Sequence, residues 1–184
     1  MKQLAKIMLW LMGWNINVVN QRILTEKKYL LIAAPHTSSW DFIIGKMVYL
    51  ALGIPSKFFI KKESFDGIFG GLLVALGGIP LNRENPRSFV EMINLLKREE
   101  MILIITPEGT RQATNQWRIG FYTMARKAKM PIFIGVLDYA NKVCTLGQEF
   151  VITSDFETDM KQLYDVYHQN QAKYPEKFKK HGEI

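Results

Sequence analysis

Cysteine is nearly absent from this chain. Cys144 is the single one, which excludes a disulfide within the chain and suits a reducing compartment. It lies in the alternating stretch 142–146, the setting of a core thiol. Histidine is almost as scarce. His36, His168 and His181 stand far apart, and no Cys/His cluster has the spacing of metal ligands. A Gly-x-Ser-x-Gly elbow is missing too, and with it the usual serine nucleophile. Low-complexity tracts and internal repeats are also lacking.

Acidic residues are the minority of the charges, 17 Asp and Glu against 24 Lys and Arg, for a net charge of +7. Such an excess implies an anionic partner. Nucleic acid is set aside because no helix-turn-helix, zinc-finger or aromatic RNA-binding signature is present. An anionic membrane surface, a phosphorylated substrate and an acyl carrier would all exploit the same charge. Charge does not choose among them.

No apolar run is long enough to span a bilayer. The N-terminal stretch 7–14 falls well short of the roughly 18–20 residues required. A signal peptide does not fit either, because Trp10, Trp14 and Asn15 stand where small cleavage-site residues belong. Lys2 and Lys6 beside Leu, Met and Trp suit an amphipathic helix over residues 1–20 lying in a membrane interface. A helix packed onto the rest of the chain is the competing reading, and one helix can do both.

What is present is a globular composition, 48% hydrophobic over 184 residues. That is enough for one domain, over residues 21–184, with one substantial core. Residues 28–34 read as a buried strand ending at Pro35. Ser38 or Ser39 caps a helix that runs to about Leu52 and is stopped by Gly53 and Pro55. A strand is expected over 57–60, a helix over 65–76 and a short strand over 79–81. Asn85-Pro86 opens a helix reaching about Glu99, and 101–105 is the clearest strand. A helix over 119–129, a strand over 132–137 and edge strands over 143–146 and 150–152 follow. A final helix capped by Asp155 or Asp159 ends near Tyr174-Pro175, and the basic stretch 173–184 reads as a frayed end. Strands alternating with helices specify an α/β fold, a largely parallel central sheet flanked by helices. Ligands in such sheets collect at the carboxyl ends of strands.

Two motifs stand at such ends. The first is His36-Thr37-Ser38-Ser39-Trp40-Asp41, after the strand at 28–34. The second is Pro107-Glu108-Gly109-Thr110-Arg111, after the strand at 101–105. A His held by an Asp is a device for taking a proton from a hydroxyl. A guanidinium beside a glycine turn suits a phosphate. Read blandly, His36 and Asp41 are a helix-start histidine and a first-turn carboxylate favoured by the helix dipole. Glu108 to Arg111 would then be a surface turn. The two motifs in order, each after an apolar run and facing one crevice, outweigh that reading.

With these residues the chain resembles the lysophosphatidic acid acyltransferase family. That family has four ordered blocks, matched here by His36 to Asp41, by Gly78-Ile79-Pro80-Leu81-Asn82-Arg83, by Pro107 to Arg111, and by Met130-Pro131-Ile132-Phe133-Ile134. The resemblance covers residues 28–140. It departs from the pattern at Pro35, where Asn is frequent, at Pro80, where an aromatic is usual, and at Thr106, where Phe is common. The resemblance implies a glycerolipid acyltransferase at the cytoplasmic face of the membrane, held there peripherally. Acyl-CoA or acyl-carrier protein would be the donor, and a lysophospholipid such as 1-acylglycerol-3-phosphate the acceptor. No metal and no further cofactor are needed.

On this reading His36 is the general base and Asp41 orients its ring. Arg83 and Arg111 bind the acceptor's anion, with help from Lys61 or Lys62 unless that pair is a solvated charge run. Glu108 belongs to the acceptor site, and Gly109 and Thr110 shape its loop. The apolar residues of 65–76 line an acyl groove, face lipid, or are simply core. Trp40 is either an interfacial aromatic or a core anchor. Acylation of another lipid, such as a lyso-ornithine lipid or a glycolipid, and a non-catalytic lipid- or phosphate-binding module are the alternatives.

Overall fold

The computed structural model describes residues 1–82, 85, 87–153 and 155–180. In chain order the first elements are α1 (Lys2–Leu11), β1 (Asn15–Val18), α2 (Arg22–Thr25), β2 (Tyr29–Ala34), α3 (Ser39–Leu52), β3 (Lys57–Lys61) and α4 (Gly70–Ala75). They are followed by β4 (Gly78–Leu81), α5 (Arg87–Arg98), β5 (Ile102–Ile105), α6 (Gly120–Ala128), β6 (Ile132–Asp138), β7 (Val143–Phe150) and α7 (Phe156–Asp165). Among the described residues the strands form one sheet in the order β1-β7-β6-β2-β5-β3-β4. The pair β6–β7 is antiparallel and the other pairs are parallel.

The sheet is buried on both faces, which explains why its central strands are apolar without alternation. Leu30, Ile32 and Ala34 of β2 pack on one side with Leu96, Phe121 and Leu163 from α5, α6 and α7. Tyr29 and Leu31 point the other way, to Leu9 of α1 and to Ile44 and Val48 of α3. Full burial of each such side chain contributes about 1.5–3 kcal/mol. The expected α/β layering with a largely parallel sheet is what the chain adopts.

Differences from the expected elements have local causes. The helix expected over 1–20 ends at Leu11. Gly13 turns the chain at φ +76°, and Asn15–Val18 then leaves the helix to pair with Val143–Leu146 as an edge strand. The helix expected over 65–76 is a 3-10 turn, Lys62–Phe65, followed by the short α4. Its glycines weaken a helix, and a side chain on Gly70 would meet the Phe65 carbonyl oxygen. The two edge strands expected after residue 142 are one strand, β7, lying between β1 and β6. An irregularity in register at Ile134/Gly135 lets it continue. Cys144 is buried there, and burial pushes its thiol up to about 12.

The C-terminal stretch is not frayed through Lys180. After α7 ends at Asp165, 3-10 turns at Gln169–Gln171 and Pro175–Lys177 carry the chain back across the domain. Phe178 is buried beside Trp117, and the Tyr174 N–H donates to Thr37 Oγ1 at 3.2 Å. The tail therefore braces the loop that follows β2. Phe178→Ala should lower unfolding free energy by about 3 kcal/mol, as for other core aromatics truncated to Ala. Chemical denaturation checks this, and a loss within experimental error would return the tail to a surface role.

Candidate active site

The carboxyl ends of β2 and β5 lie side by side, since Ile32 is in register with Ile105. The loop after β2 carries His36, and the loop after β5 carries Glu108. The His36 main-chain N–H donates to Glu108 Oε1 at 2.9 Å. The two sequence motifs are thus joined by a direct hydrogen bond.

Asp41 sits in the first turn of α3, where Ser38 is the N-cap and the two form a capping box. Its Oδ2 accepts from the main-chain N–H groups of Thr37 and Ser38, both at 2.8 Å. The same oxygen lies 3.2 Å from His36 Nδ1. Oδ1 accepts the Tyr139 hydroxyl at 2.7 Å. With Nδ1 engaged by Asp41, Nε2 is the ring nitrogen left for a substrate proton. The His36 side chain is 19% exposed, enough to face a ligand and little enough to hold one rotamer.

His36 and Asp41 open onto a cavity of about 640 Å³, within the range of small-molecule sites. Its walls are mainly apolar, with Phe58, Phe59, Leu73, Phe89, Phe121 and Met124 among them. The other expected residues distribute unevenly. Gly109 lines the cavity and turns at φ +65°. A Cβ there would lie 2.5 Å from Arg118 Nε, so glycine gives Arg118 room to cross the loop. Thr110 Oγ1 accepts the Gln112 N–H at 3.2 Å and stiffens the same turn. Arg111 is exposed and its guanidinium donates to Ser39 Oγ at the start of α3. Lys61 is exposed at the end of β3 and is not among the residues lining the cavity. Arg83 lies outside the described residues. Leu73 of the 65–76 stretch is in the cavity wall, whereas Ile68, Phe69 and Leu72 are exposed.

Several groups at the site escaped sequence reading. Arg118 lines the cavity with His36, yet it lies outside both motifs and no local pattern marks it. Lys46 also lines the cavity and donates to the carbonyl and hydroxyl oxygens of Ser56, both at 3.2 Å. Burial, with the charge of Lys57 second, pulls its ammonium below the ordinary lysine value. Its position on α3, a turn beyond Asp41 and Phe42, is the signal that was available. Tyr139 follows β6 and reaches Asp41 only through the fold.

Glu108 is 6% exposed, and among the described residues its Oε2 has no hydrogen-bond partner. Burial pushes its carboxyl up to about 8; the charge of Asp41 adds to the rise and the His36 N–H opposes it. Glu108 is therefore largely protonated at neutral pH, and its free oxygen is a potential donor. Below about pH 4.5, folded and unfolded chains both hold this proton. From there to about pH 8 the folded chain alone holds it, so stability falls as pH rises through that window. Glu108→Gln stays neutral throughout and keeps an acceptor for the His36 N–H. Urea midpoints from about pH 5 to about pH 8 should decline less in this variant than in the parent chain. Parallel declines would mean that Glu108 is ionised in the fold.

The site thus combines a His–Asp pair and the Arg118 guanidinium at a mainly apolar cavity, with the buried Glu108 carboxyl behind the His36 main chain and the exposed Arg111 on Ser39, on the strand ends of an α/β sheet. The profile of the Acyltransferase family matches residues 15–134, and the chain belongs to that family. The chain is 32% identical over 139 residues to a 1-acyl-sn-glycerol-3-phosphate acyltransferase of Streptococcus pneumoniae, covering 72% of this chain and 50% of that protein. It is 28% identical over 137 residues to the Saccharomyces cerevisiae enzyme of the same name, covering 68% and 44% respectively. The chain spans about half the length of these curated relatives. In fold it is similar to the crystal structure of the 1-acyl-sn-glycerophosphate (LPA) acyltransferase PlsC from Thermotoga maritima. The TM-score is 0.62 at 15% identity, over 90% of this chain and 74% of that one.

Proposed function

We propose that this chain transfers a fatty acyl group from a thioester, acyl-CoA or acyl-carrier protein, to the hydroxyl of 1-acylglycerol-3-phosphate. The observation that carries the reading is the His36–Asp41 pair at 3.2 Å opening onto a large, mainly apolar cavity in a member of the Acyltransferase family. The names of its curated relatives support the choice of acceptor.

His36 takes the acceptor hydroxyl's proton as its oxygen attacks the thioester carbonyl. The carbon–sulfur bond breaks, an ester forms, and the proton passes to the departing thiolate. A thiolate leaves readily, so no covalent acyl-enzyme is required. Cys144 is unsuited to one in any case, being buried with its thiol pushed up to about 12. Arg111 and Arg118 hold the acceptor phosphate and so aim its hydroxyl at His36. Arg83 and Lys61 join them as further cations of the acceptor site, and the mainly apolar cavity takes acyl chain.

His36→Ala should reduce transfer by at least about 10²-fold, the usual worth of a general base, and Asp41→Asn should also reduce it strongly. Labelled acyl-CoA or acyl-carrier protein with 1-acylglycerol-3-phosphate, followed by mass spectrometry of the product, provides the assay. Undiminished transfer by either variant sinks the dyad. Arg118→Ala and Arg111→Ala should each raise the acceptor KM by about tenfold or more, with Lys restoring only part. The penalty should largely vanish on a dephosphorylated acceptor; if it persists, these arginines serve another group.

The protein works at the cytoplasmic face of a membrane, as a peripheral protein. No described helix is long and apolar enough to cross one. Leu4, Ile7, Trp10 and Leu11 are exposed on α1 beside Lys2 and Lys6, which suits the interface. Ala5, Leu9 and Trp14 are buried in the domain core, so removal of this segment would disturb the fold. Ile7→Ser with Trp10→Ser spares the core and should weaken flotation with anionic vesicles more than transfer to a short-chain soluble acceptor. Undiminished flotation would move the contact to Ile68, Phe69 and Leu72.

A further inference from the structure

Asp41 divides its two oxygens unequally. Oδ2 faces His36 Nδ1 and two main-chain N–H groups, while Oδ1 receives the Tyr139 hydroxyl at 2.7 Å. That distance is typical of a strong, charge-assisted hydrogen bond. With both oxygens engaged the carboxylate cannot rotate, so the lone pair aimed at His36 is fixed. Tyr139 lies directly after β6, on the opposite flank of β2 from Glu108. Burial first, and the bond to Asp41 second, push its phenol far above the ordinary tyrosine value. It remains a donor across any working pH.

The ring is itself held. Trp14 packs edge-on against it, with centroids 5.0 Å apart at 89°. The Tyr139 main-chain N–H donates to the Gln171 carbonyl at 2.9 Å. Trp14 is 6% exposed, and its main-chain N–H donates to the Leu9 carbonyl at 2.8 Å. Its ring position therefore depends on how α1 ends.

We propose that Tyr139 is a positioning residue for the His36–Asp41 pair, and that Trp14 brings the N-terminal segment into the site by bracing it. The importance of the pair for turnover rests on the acyl transfer reading; the hydrogen-bond coupling does not. Two effects follow. The bond fixes the geometry of Asp41, and the O–H dipole withdraws negative charge from the carboxylate. Removing the hydroxyl leaves more charge on the oxygen facing Nδ1, so His36 should hold its proton to higher pH. The other titratable and charged groups facing the pair are Glu108, Arg118 and Arg111 from the β5 side, and Lys173 and Tyr174 from the C-terminal strap. All of them remain in a Tyr139→Phe variant, which also keeps the ring that Trp14 contacts.

The test uses the full chain without substrate. Imidazole signals are followed by NMR against pH, with His36 assigned by its disappearance in His36→Ala. Tyr139→Phe should raise the His36 midpoint by about 0.5–1 pH unit and leave that of His168 in place. The acid limb of kcat/KM should move up by the same amount, with acceptor KM little changed. Trp14→Leu should shift the midpoint the same way by less. An unmoved His36 midpoint, with kcat/KM lowered equally at every pH, overturns the role of Tyr139. An unmoved midpoint in Trp14→Leu overturns the brace. If the parent chain transfers no acyl group, the proposed function fails, and the NMR titration still decides this inference.

Discussion

The Asp41 carboxylate is the point on which the site converges. Its partners are the His36 ring, the main-chain N–H groups of Thr37 and Ser38, and the Tyr139 hydroxyl, none farther than 3.2 Å. Two of these bonds belong to the start of α3, where exposed N–H groups need an acceptor. The residue that stabilises the helix start is therefore the one that orients the His36 ring. A conservative change to Asn keeps a similar shape but offers one oxygen where the fold uses two, so helix start and ring orientation would suffer together.

Glu108 makes a useful contrast. Asp41 and Glu108 are comparably buried and flank the same imidazole residue. Asp41 has donors at both oxygens, whereas Glu108 receives the His36 main-chain N–H at one and nothing at the other among the described residues. Hydrogen bonds to an anion offset the loss of water; one such bond leaves burial dominant, and the Glu108 carboxyl rises to about 8. In its protonated form Glu108 also spares Asp41 a neighbouring charge. The loop after β5 can thus approach the loop after β2 closely, and Arg118 from the same side lines the cavity.

How much of this was legible in sequence depends on the range of the interaction. His36, Ser38 and Asp41 lie within one helix start, and their pairing follows from spacing. The runs forming β2, β5 and β6 are uninterrupted and apolar, because strands buried on both faces need no polar side, and they were legible for the same reason. Glycine at 109 is written in its motif, but its reason, space for Arg118, lies nine residues on. Tyr139 and Trp14 carry no local signal, being joined to Asp41 only when β6 and the N-terminal turn come together. Strand β1 escaped because Asn15–Val18 is a short, half-exposed edge. The tail escaped because its lysines are exposed or half-exposed while Phe178 alone among 177–180 is buried.

The sheet order explains why the supporting residues are so dispersed. Strand β2 is flanked by β5 and β6, both of which come much later in the chain. Its carboxyl end is therefore approached from two sides by loops that sequence separates. The β5 side supplies Glu108, Gly109 and Arg118, which tie the His36 main chain and present positive charge at the cavity. The β6 side supplies Tyr139, which fixes Asp41 and meets Trp14 from the N-terminal turn. The charge at the cavity and the orientation of the His36 ring are thus set from opposite flanks of one strand. Changes on the β5 flank at Arg118 alter the charge at the cavity while leaving the bonds of Asp41 intact. Changes on the β6 flank reach the imidazole through Asp41, with no contact to the cavity required.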